Sequence, residues 1–274
     1  MIPLPLTKMR MNPLLETAII AAVHAGEEIL KIYDNPCSDF EIEQKADHSP
    51  LTIADRKSNE VIMAYLNNTC FPIISEENKA IDYSIRCQWE TVWIVDPLDG
   101  TKEFIKRNGE FTVNIALVKN GVPELGVIYI PVKRTLYYGT MENGAYKAGN
   151  ISSATSLQEI AKQATTLPQS HPHQGCIVVA SRSHMNAETE DFIDRLQKKY
   201  SPVELTSIGS SIKICLVAEG SADVYPRFAP TMEWDTAAGH AIAKAAGKEL
   251  YRQDEKTPLV YNKENLLNPW FIVK

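Results

Sequence analysis

The stretch Trp93-Ile94-Val95-Asp96-Pro97-Leu98-Asp99-Gly100-Thr101 joins an apolar run to a turn with two acidic residues. The apolar residues predict a strand, and strand ends are where sites are built in α/β proteins. Pro97 fixes its own φ, and Gly100 permits a backbone geometry that other residues resist. The turn can therefore direct both aspartates and the Leu98 carbonyl at one point.

Oxygen ligands in such an arrangement suit Mg²⁺. Taken alone, the stretch is equally well explained as a surface turn, because Asp, Pro and Gly are all turn formers. Further acids change this balance. Glu76 also follows an apolar run (71–74), and Asp235 stands at the start of a predicted helix. Each could instead be a solvated or helix-terminal charge. Together they make a set of carboxylates that needs a shared counter-ion: Asp55, Glu76, Asp96, Asp99 and Asp235.

Hydrophobic periodicity predicts helices on an antiparallel sheet in the first half of the chain. Apolar residues at helical spacing predict an amphipathic helix over Pro13–Tyr33. A second helix is predicted over about Ile53–Leu66, opened by a turn at 49–52. Short apolar segments and the turns between them predict strands over 91–95, 111–118, 124–130 and 135–138, and a further hairpin at 143–144.

Beyond about residue 150 strands and helices alternate, which is typical of an α/β layer. The polar stretch 149–173 is the predicted junction. We therefore expect an N-terminal α+β region over residues 1–150 and a C-terminal α/β region over residues 151–274. In the second region, strands are predicted over 177–180, 203–205 and 222–225, and helices over 187–200, 211–219 and 235–246.

Composition excludes several classes of protein. The 274 residues carry a net charge of −6, so a basic face for nucleic acid is not expected. The five cysteines are scattered and odd in number, which argues against a disulfide framework and a structural zinc site. The apolar stretch 17–23 is too short to span a membrane. These features predict a cytoplasmic protein, with association at the inner face of the plasma membrane left open.

Two motifs resemble the signatures of the inositol monophosphatase superfamily. They are Asp96-Pro97-Leu98-Asp99-Gly100-Thr101 and Trp234-Asp235-Thr236-Ala237-Ala238-Gly239. The fuller run 96–118, together with Ser207-Ile208-Gly209-Ser210-Ser211-Ile212-Lys213, is similar to its branch of 3′(2′),5′-bisphosphate nucleotidases. The similarity extends from about Leu14 to Phe271. It implies a layered α-β-α-β-α sandwich, the fold shared with fructose-1,6-bisphosphatase, and two or three bound Mg²⁺ ions.

The resemblance also implies roles for residues at matching positions. Thr101, hydrogen-bonded to Asp55, would orient and help deprotonate an attacking water. The implied metal ligands, most of them in the N-terminal region, are Glu76, Asp96, the Leu98 carbonyl, Asp99 and Asp235. The implied substrate contacts, most of them in the C-terminal region, are Gly100, Thr101, His184, Ser210, Lys213, Arg227 and Asp235.

Some of these substrate residues are also consistent with elementary chemistry. Ser210 and Ser211 precede an apolar helical run, and a helix N-terminus is a ready phosphate site. Ordinary helix capping explains the two serines equally well. Lys213 and Arg227 could supply charge to a second phosphate. His184 stands in a loop, where a histidine is more often incidental.

Two other phosphatase motifs are imitated. Cys176 and Arg182 have the C-x₅-R spacing of cysteine phosphatases, but the residues between them are apolar and β-branched and predict a strand. Residues 96–101 imitate the aspartyl-phosphate motif D-x-D-G-T with one residue too many. Neither motif therefore supports a covalent intermediate, and we expect water to be the nucleophile.

The expected function is Mg²⁺-dependent hydrolysis of adenosine 3′,5′-bisphosphate to AMP and phosphate, with the sulfated analogue as a further candidate substrate. The resemblance implies a link to sulfate assimilation and inhibition by Li⁺. An inositol-1-monophosphatase is the alternative enzyme. A catalytically silent nucleotide-binding or metal-sensing protein is the alternative outside enzymes. Nucleic acid and a transmembrane segment are not expected, and the chain is expected to be a monomer or a homodimer.

Overall fold

The computed structural model describes residues 11–35, 40, 42–44, 50–169, 171–180 and 185–274. The helices are α1 (Pro13–Tyr33), α2 (Ile53–Leu66), α3 (Tyr83–Arg86), α4 (Thr101–Ile105), α5 (Leu157–Gln163), α6 (Ala187–Gln197), α7 (Ile212–Glu219) and α8 (Glu233–Ala245). The strands are β1 (Glu43–Gln44), β2 (Pro50–Leu51), β3 (Ile73–Ser75), β4 (Thr91–Asp99), β5 (Thr112–Lys119), β6 (Val122–Ile130), β7 (Thr135–Thr140), β8 (Gly144–Ala148), β9 (Thr165–Leu167), β10 (Cys176–Ala180), β11 (Val203–Ser207), β12 (Tyr225–Arg227), β13 (Leu250–Arg252) and β14 (Phe271–Val273).

The first two helices have the predicted bounds, and local capping explains where they begin. The Asn12 side chain accepts a hydrogen bond from the Leu14 N–H at the start of α1. Thr52 and Asp55 form a reciprocal capping box at the start of α2. The predicted turn at 49–52 is partly wrong, because Pro50 and Leu51 form β2 and pair with β1. Ser49 lies outside the described residues.

In the described residues of the chain, strands β3 to β9 form a seven-stranded sheet in sequence order. All neighbouring pairs are antiparallel except β3 and β4. Strand β4 continues four residues beyond the prediction. Asp96 pairs with Asn114 and Asp99 with Thr112, and the register shifts between these two pairs. The turn that carries the aspartates is thus held inside the sheet.

Helices cover both faces of this sheet, and the side chains of β4 alternate between two cores. Trp93 and Val95 pack with α1 and α2, whereas Val92 and Ile94 pack with α7 and α8. Burial on both faces explains why the strand is a continuous apolar run. Helix α8 packs closely on α7, since a Cβ on Gly239 would lie 2.8 Å from the Ile214 side chain.

A second, smaller β layer lies beyond α7 and α8. Strands β12, β14 and β13 form one sheet, β10 and β11 pair in parallel, and a bridge between Val178 and Val224 joins the two groups. Phe192 of α6 packs on this layer against Val178 and Phe228. The order of layers is therefore α1 and α2, the large sheet, α7 and α8, the small sheets, and α6. This is the predicted α-β-α-β-α sandwich.

Three details of the second half differ from the prediction. Helix α6 ends at Gln197 rather than residue 200, ahead of Pro202, which cannot continue a helix. The strand predicted over 222–225 lies instead at β12, where β14 supplies a pairing partner. The polar stretch 149–173 contains α5 and β9, and β9 pairs with β8 of the large sheet. The division at residue 150 stays a prediction, although elements from beyond it complete the large sheet.

Candidate metal and phosphate site

The predicted metal-binding turn is largely buried and is held by hydrogen bonds. Asp96 is 1% exposed, and one of its carboxylate oxygens accepts the Leu98 N–H at 3.0 Å. Gly100 has φ +96°, a left-handed conformation that favours glycine, and α4 begins directly after it. A Cβ on Gly100 would lie 3.1 Å from the Glu110 carbonyl oxygen. The sequence therefore fixes this turn through one special backbone position.

Helix α2 holds this turn from the other side. The Asp55 carboxylate accepts hydrogen bonds from the Thr52 N–H at 2.7 Å and from the Thr101 hydroxyl at 3.2 Å. The Ser58 hydroxyl donates to the Pro97 carbonyl at 2.6 Å. One turn of helix thus contacts the site at two points, and the Asp55–Thr101 pair expected from the resemblance is in hydrogen-bond contact.

Asn59 extends this support to Glu76. The Ser75 hydroxyl, at the end of β3, donates to the Asn59 side-chain oxygen at 2.8 Å. The Glu76 N–H donates to the Val95 carbonyl at 3.2 Å, so the residue is tied to β4. Sequence reasoning did not identify Ser58 or Asn59. Their spacing from Asp55 along α2 is the signal that could have found them, because residues three and four apart share a helix face.

The four predicted acidic ligands interact electrostatically with one another. Burial raises the pKa of Asp96 well above its ordinary value, and the nearby charges of Glu76, Asp99 and Asp235 raise it further. Burial, then Asp99 and Glu76, also raise the pKa of Asp235 well above its ordinary value. Within the described ranges, no three His, Cys, Asp or Glu side chains already form a group spaced to hold a metal ion. The donor chemistry nevertheless fits a hard divalent cation, whose charge would relieve this repulsion.

Asp99 is held by a buried polar network that the sequence analysis missed. One of its oxygens accepts the Ser211 N–H at 2.6 Å and the Asn114 side-chain N–H at 3.4 Å. The Ser211 hydroxyl donates to the Asn114 side-chain oxygen at 2.9 Å, and Thr112 contacts both. Burial raises the pKa of Asp99, and Lys213 with these hydrogen bonds opposes the rise. Polar residues at alternate positions of an otherwise apolar strand, 112 and 114, are the signal in the sequence.

A cavity beside this network joins the predicted metal ligands to the predicted substrate residues. Asp99 and Asp235 line it together with Ser210, Lys213 and Arg227. Arg227 donates to the Pro230 carbonyl at 3.0 Å, and its buried Nε–H has no hydrogen-bond partner among the described residues. The structure therefore brings acidic and basic predicted site residues to one opening.

Lys213 is a buried residue in the lining of this cavity. Its ammonium group donates to the Ile208 carbonyl at 3.1 Å and the Ser210 carbonyl at 2.7 Å. Burial lowers the pKa of Lys213 to about 8, against the opposing effect of Asp99. Ser211 is the N-cap residue of α7 without a side-chain cap, and the Ser210 hydroxyl is 3.5 Å from the Ile212 N–H. Plain helix capping thus does not account for Ser211, whereas the Ser210 hydroxyl accepts the Ile212 N–H.

Two further predictions concern His184 and the cysteine-phosphatase motif. His184, like Arg182, belongs to the residues 181–184 that the structure does not describe. Cys176 is in β10, and its N–H donates to the Pro202 carbonyl at 2.9 Å. Burial raises the pKa of the Cys176 thiol, which disfavours the reactive thiolate. The strand predicted in place of a cysteine-phosphatase loop is confirmed.

Comparison with known proteins identifies the family. A model described as Inositol monophosphatase family matches residues 10–270. The 3′(2′),5′-bisphosphate nucleotidase CysQ of Salmonella typhimurium (strain LT2) is 44% identical over 262 residues, which is 95% of this chain and 99% of that relative. The protein of the same name from Escherichia coli (strain K12) is 45% identical over 255 residues, 92% of this chain and 96% of its own.

Solved structures support the same assignment. CysQ from Bacteroides thetaiotaomicron, described as a bacterial member of the inositol monophosphatase family, is 59% identical. It superposes with a TM-score of 0.89 over 97% of this chain and 98% of its own. The extragenic suppressor protein SuhB from Bartonella henselae is 22% identical with a TM-score of 0.74, covering 96% of this chain and 93% of that one, which shows likeness of fold. The family resemblance and the layered fold are thus confirmed.

No helix among the described residues has the length and apolarity needed to cross a membrane.

Proposed function

The chain belongs to the inositol monophosphatase family, and from that premise we propose that it is a Mg²⁺-dependent 3′(2′),5′-bisphosphate nucleotidase. Its substrate is adenosine 3′,5′-bisphosphate, which it converts to AMP and phosphate. The sulfated analogue is a second candidate, and both substrates connect the activity to sulfur metabolism. The support is the extended similarity to CysQ proteins, which are named for this activity.

The observation that carries the proposal is the pairing of two kinds of charge in one cavity. Asp99 and Asp235 line this cavity, where metal ions would meet the phosphate to be cleaved. Lys213 and Arg227 line the same cavity, where they would supply positive charge to a second phosphate. A nucleotide with two separate phosphates can use both the acidic pair with its metal ions and the basic pair, whereas a monophosphate can use only one of them.

The proposed metal ligands are Glu76, Asp96, the Leu98 carbonyl, Asp99 and Asp235. Two or three Mg²⁺ ions would supply positive charge that activates the attacking water and stabilises the leaving oxygen. Asn114 and Ser211 would keep one oxygen of Asp99 fixed during binding. Ser58, through the Pro97 carbonyl, would keep the turn in place.

The proposed catalytic pair is Thr101 and Asp55. The threonine hydroxyl lies 3.2 Å from an Asp55 carboxylate oxygen and 3.4 Å from the Leu98 carbonyl oxygen, so it can donate its proton to Asp55 while its lone pairs accept a proton or hydrogen bond from water. Asp55 is 1% exposed and held by Thr52, so the direction of this hydrogen bond is fixed. Water attack needs a positioned water, whereas a protein that only binds nucleotides does not. Gly100 lets the threonine follow the metal turn directly.

The remaining substrate contacts follow from the lining of the cavity. Ser210, Lys213 and Arg227 would hold the phosphate that is not cleaved, and Gly100 and Asp235 would contact the reacting end. His184 stays a predicted contact. We place the enzyme in the cytoplasm, on the composition and the scattered cysteines.

The test is phosphate release from a panel of substrates with and without Mg²⁺. The proposal expects adenosine 3′,5′-bisphosphate to be hydrolysed fastest, only with metal present, with AMP as the nucleotide product. Preference for inositol 1-phosphate would instead identify an inositol monophosphatase. Nucleotide binding without turnover of any substrate would identify a silent binding protein.

A further inference from the structure

Glu110 lies between the two turns that form the cavity. Its side-chain carboxylate accepts the Gly209 N–H at 2.8 Å. Its carbonyl oxygen would lie 3.1 Å from a Cβ on Gly100 and 2.8 Å from a Cβ on Gly209. The residue therefore contacts the metal-binding turn with its backbone and the Ser210 turn with both backbone and side chain.

Ser210 is held in an uncommon conformation between two carboxylates. Its φ of +49° lies in the left-handed region, which residues other than glycine rarely adopt. The N–H before it is held by Glu110, and the N–H after it, of Ser211, is held by Asp99. Such strain persists only where surrounding contacts determine the backbone. Removing one of the two carboxylate anchors should let the turn relax.

The charge of Glu110 also stabilises the ammonium group of Lys213. Glu110, like Asp99 and Glu103, raises the pKa of Lys213, whereas burial and the positive charge of Arg227 lower it. Lys213 in turn donates to the carbonyl of Ser210. Glu110 thus supports both the shape and the charge of this side of the cavity, although it does not itself line it.

We propose that Glu110 is a positioning residue that sets the Ser210 turn to receive the phosphate that is not cleaved. The proposal rests on the proposed function, since it names the role of that second phosphate. In this role, substitution of Glu110 lowers the affinity only for ligands that carry this phosphate. Substitution of a residue needed only for folding would lower the affinity for every ligand.

The experiment is calorimetric titration with AMP, which carries only the phosphate that is not cleaved, and with adenosine, which lacks it. The variants are Glu110→Ala, Glu110→Gln and, as a charge control, Glu124→Ala on an exposed position of β6. In Glu110→Ala, AMP affinity should fall about tenfold, as for loss of one charge-assisted hydrogen bond, and adenosine affinity should not change. Glu110→Gln should recover part of the loss, because its amide oxygen can accept the Gly209 N–H although it lacks the charge that acts on Lys213.

Equal losses in the Ala and Gln variants, parallel losses for AMP and adenosine, or no loss at all would overturn the proposal. Absence of AMP binding to the unaltered protein would overturn it too. Hydrolysis of adenosine 3′,5′-bisphosphate by the unaltered protein is measured separately. If the unaltered protein does not hydrolyse this substrate but the variants show the expected AMP and adenosine affinities, the proposed function is refuted and the proposed role of Glu110 stands.

Discussion

The Asp99 carboxylate accepts the Ser211 N–H at 2.6 Å, across 112 residues of sequence. Asp99 is a proposed metal ligand, and Ser211 is the N-cap residue of α7, preceded by Ser210, which also lines the cavity. A shift of one residue must therefore move the other. This single hydrogen bond links a proposed metal ligand to the turn that carries a proposed phosphate contact.

Asn114 should matter for metal binding although it is not a proposed ligand. Asn114→Ala removes the side-chain amide that contacts Asp99 and one of the two hydrogen-bond partners of the Ser211 hydroxyl, leaving Thr112. We expect Mg²⁺ affinity to fall about 10- to 100-fold, the usual effect of losing a residue that orients a ligand. Titration of activity with Mg²⁺ measures this. The exposed Asn68→Ala is the control, and an unchanged Mg²⁺ requirement in Asn114→Ala would contradict the role.

The carboxylate cluster predicts how stability depends on pH without metal. The pKa values of Asp96, Asp99 and Asp235 are raised in the folded state, so the folded protein binds more protons than the unfolded chain above the ordinary carboxyl pKa. The melting temperature in chelator should therefore fall as pH rises from about 4 towards neutrality. Saturating Mg²⁺ should raise it and weaken this dependence.

Melting curves in chelator and in Mg²⁺ at several pH values measure this effect. Asp96→Asn should lose most of the Mg²⁺-induced increase and should abolish turnover, as should Asp99→Asn and Asp235→Asn. A melting temperature that Mg²⁺ leaves unchanged in the unaltered protein, or turnover that survives chelator, would contradict a metal site at these residues.

Lys213 predicts a pH dependence of substrate affinity. Its pKa is lowered to about 8, so the ammonium is charged below that pH and loses its charge above it. The KM for adenosine 3′,5′-bisphosphate should therefore rise as pH increases through about 8, and this rise should be absent from Lys213→Ala.

Lys213→Ala and Arg227→Ala should both impair turnover of the bisphosphate. Turnover of inositol 1-phosphate, which has one phosphate, should change little. Equal losses on both substrates would place these cations at the reacting phosphate.

The sequence predicted the features of the structure that depend on local patterns. Helices α1 and α2 have the predicted bounds because periodicity and capping residues are close together in the chain. The end of β4 was predicted four residues short, because its continuation depends on pairing with β5 across the turn. Strand propensity cannot anticipate such pairing.

The supporting residues of the site were harder to predict, because their partners are distant in sequence. Asn114 and Thr112 are polar positions in an otherwise apolar strand, but their role is evident only when Ser211 is placed beside them. Glu110 looks like any surface acid until Gly209 is found at its carboxylate. The resemblance supplied residues expected to touch metal or substrate, whereas only the three-dimensional arrangement reveals which residues hold them.

The attacking group is the remaining mechanistic question, and Thr101, Asp55 and Cys176 separate the alternatives. If Thr101 and Asp55 orient a water, Thr101→Ala and Asp55→Asn should each lower turnover about 10²- to 10⁴-fold, the range for loss of a general base. Asp55 also caps α2, so each variant must first show an unchanged Mg²⁺-dependent melting increase.

Cys176→Ala should turn over substrate normally, because the Cys176 thiol is buried in β10 and is not the proposed nucleophile. A single turnover in ¹⁸O-labelled water should place the label in the released phosphate. Trapping of a phosphorylated Cys176 or Asp96 would refute direct attack by water.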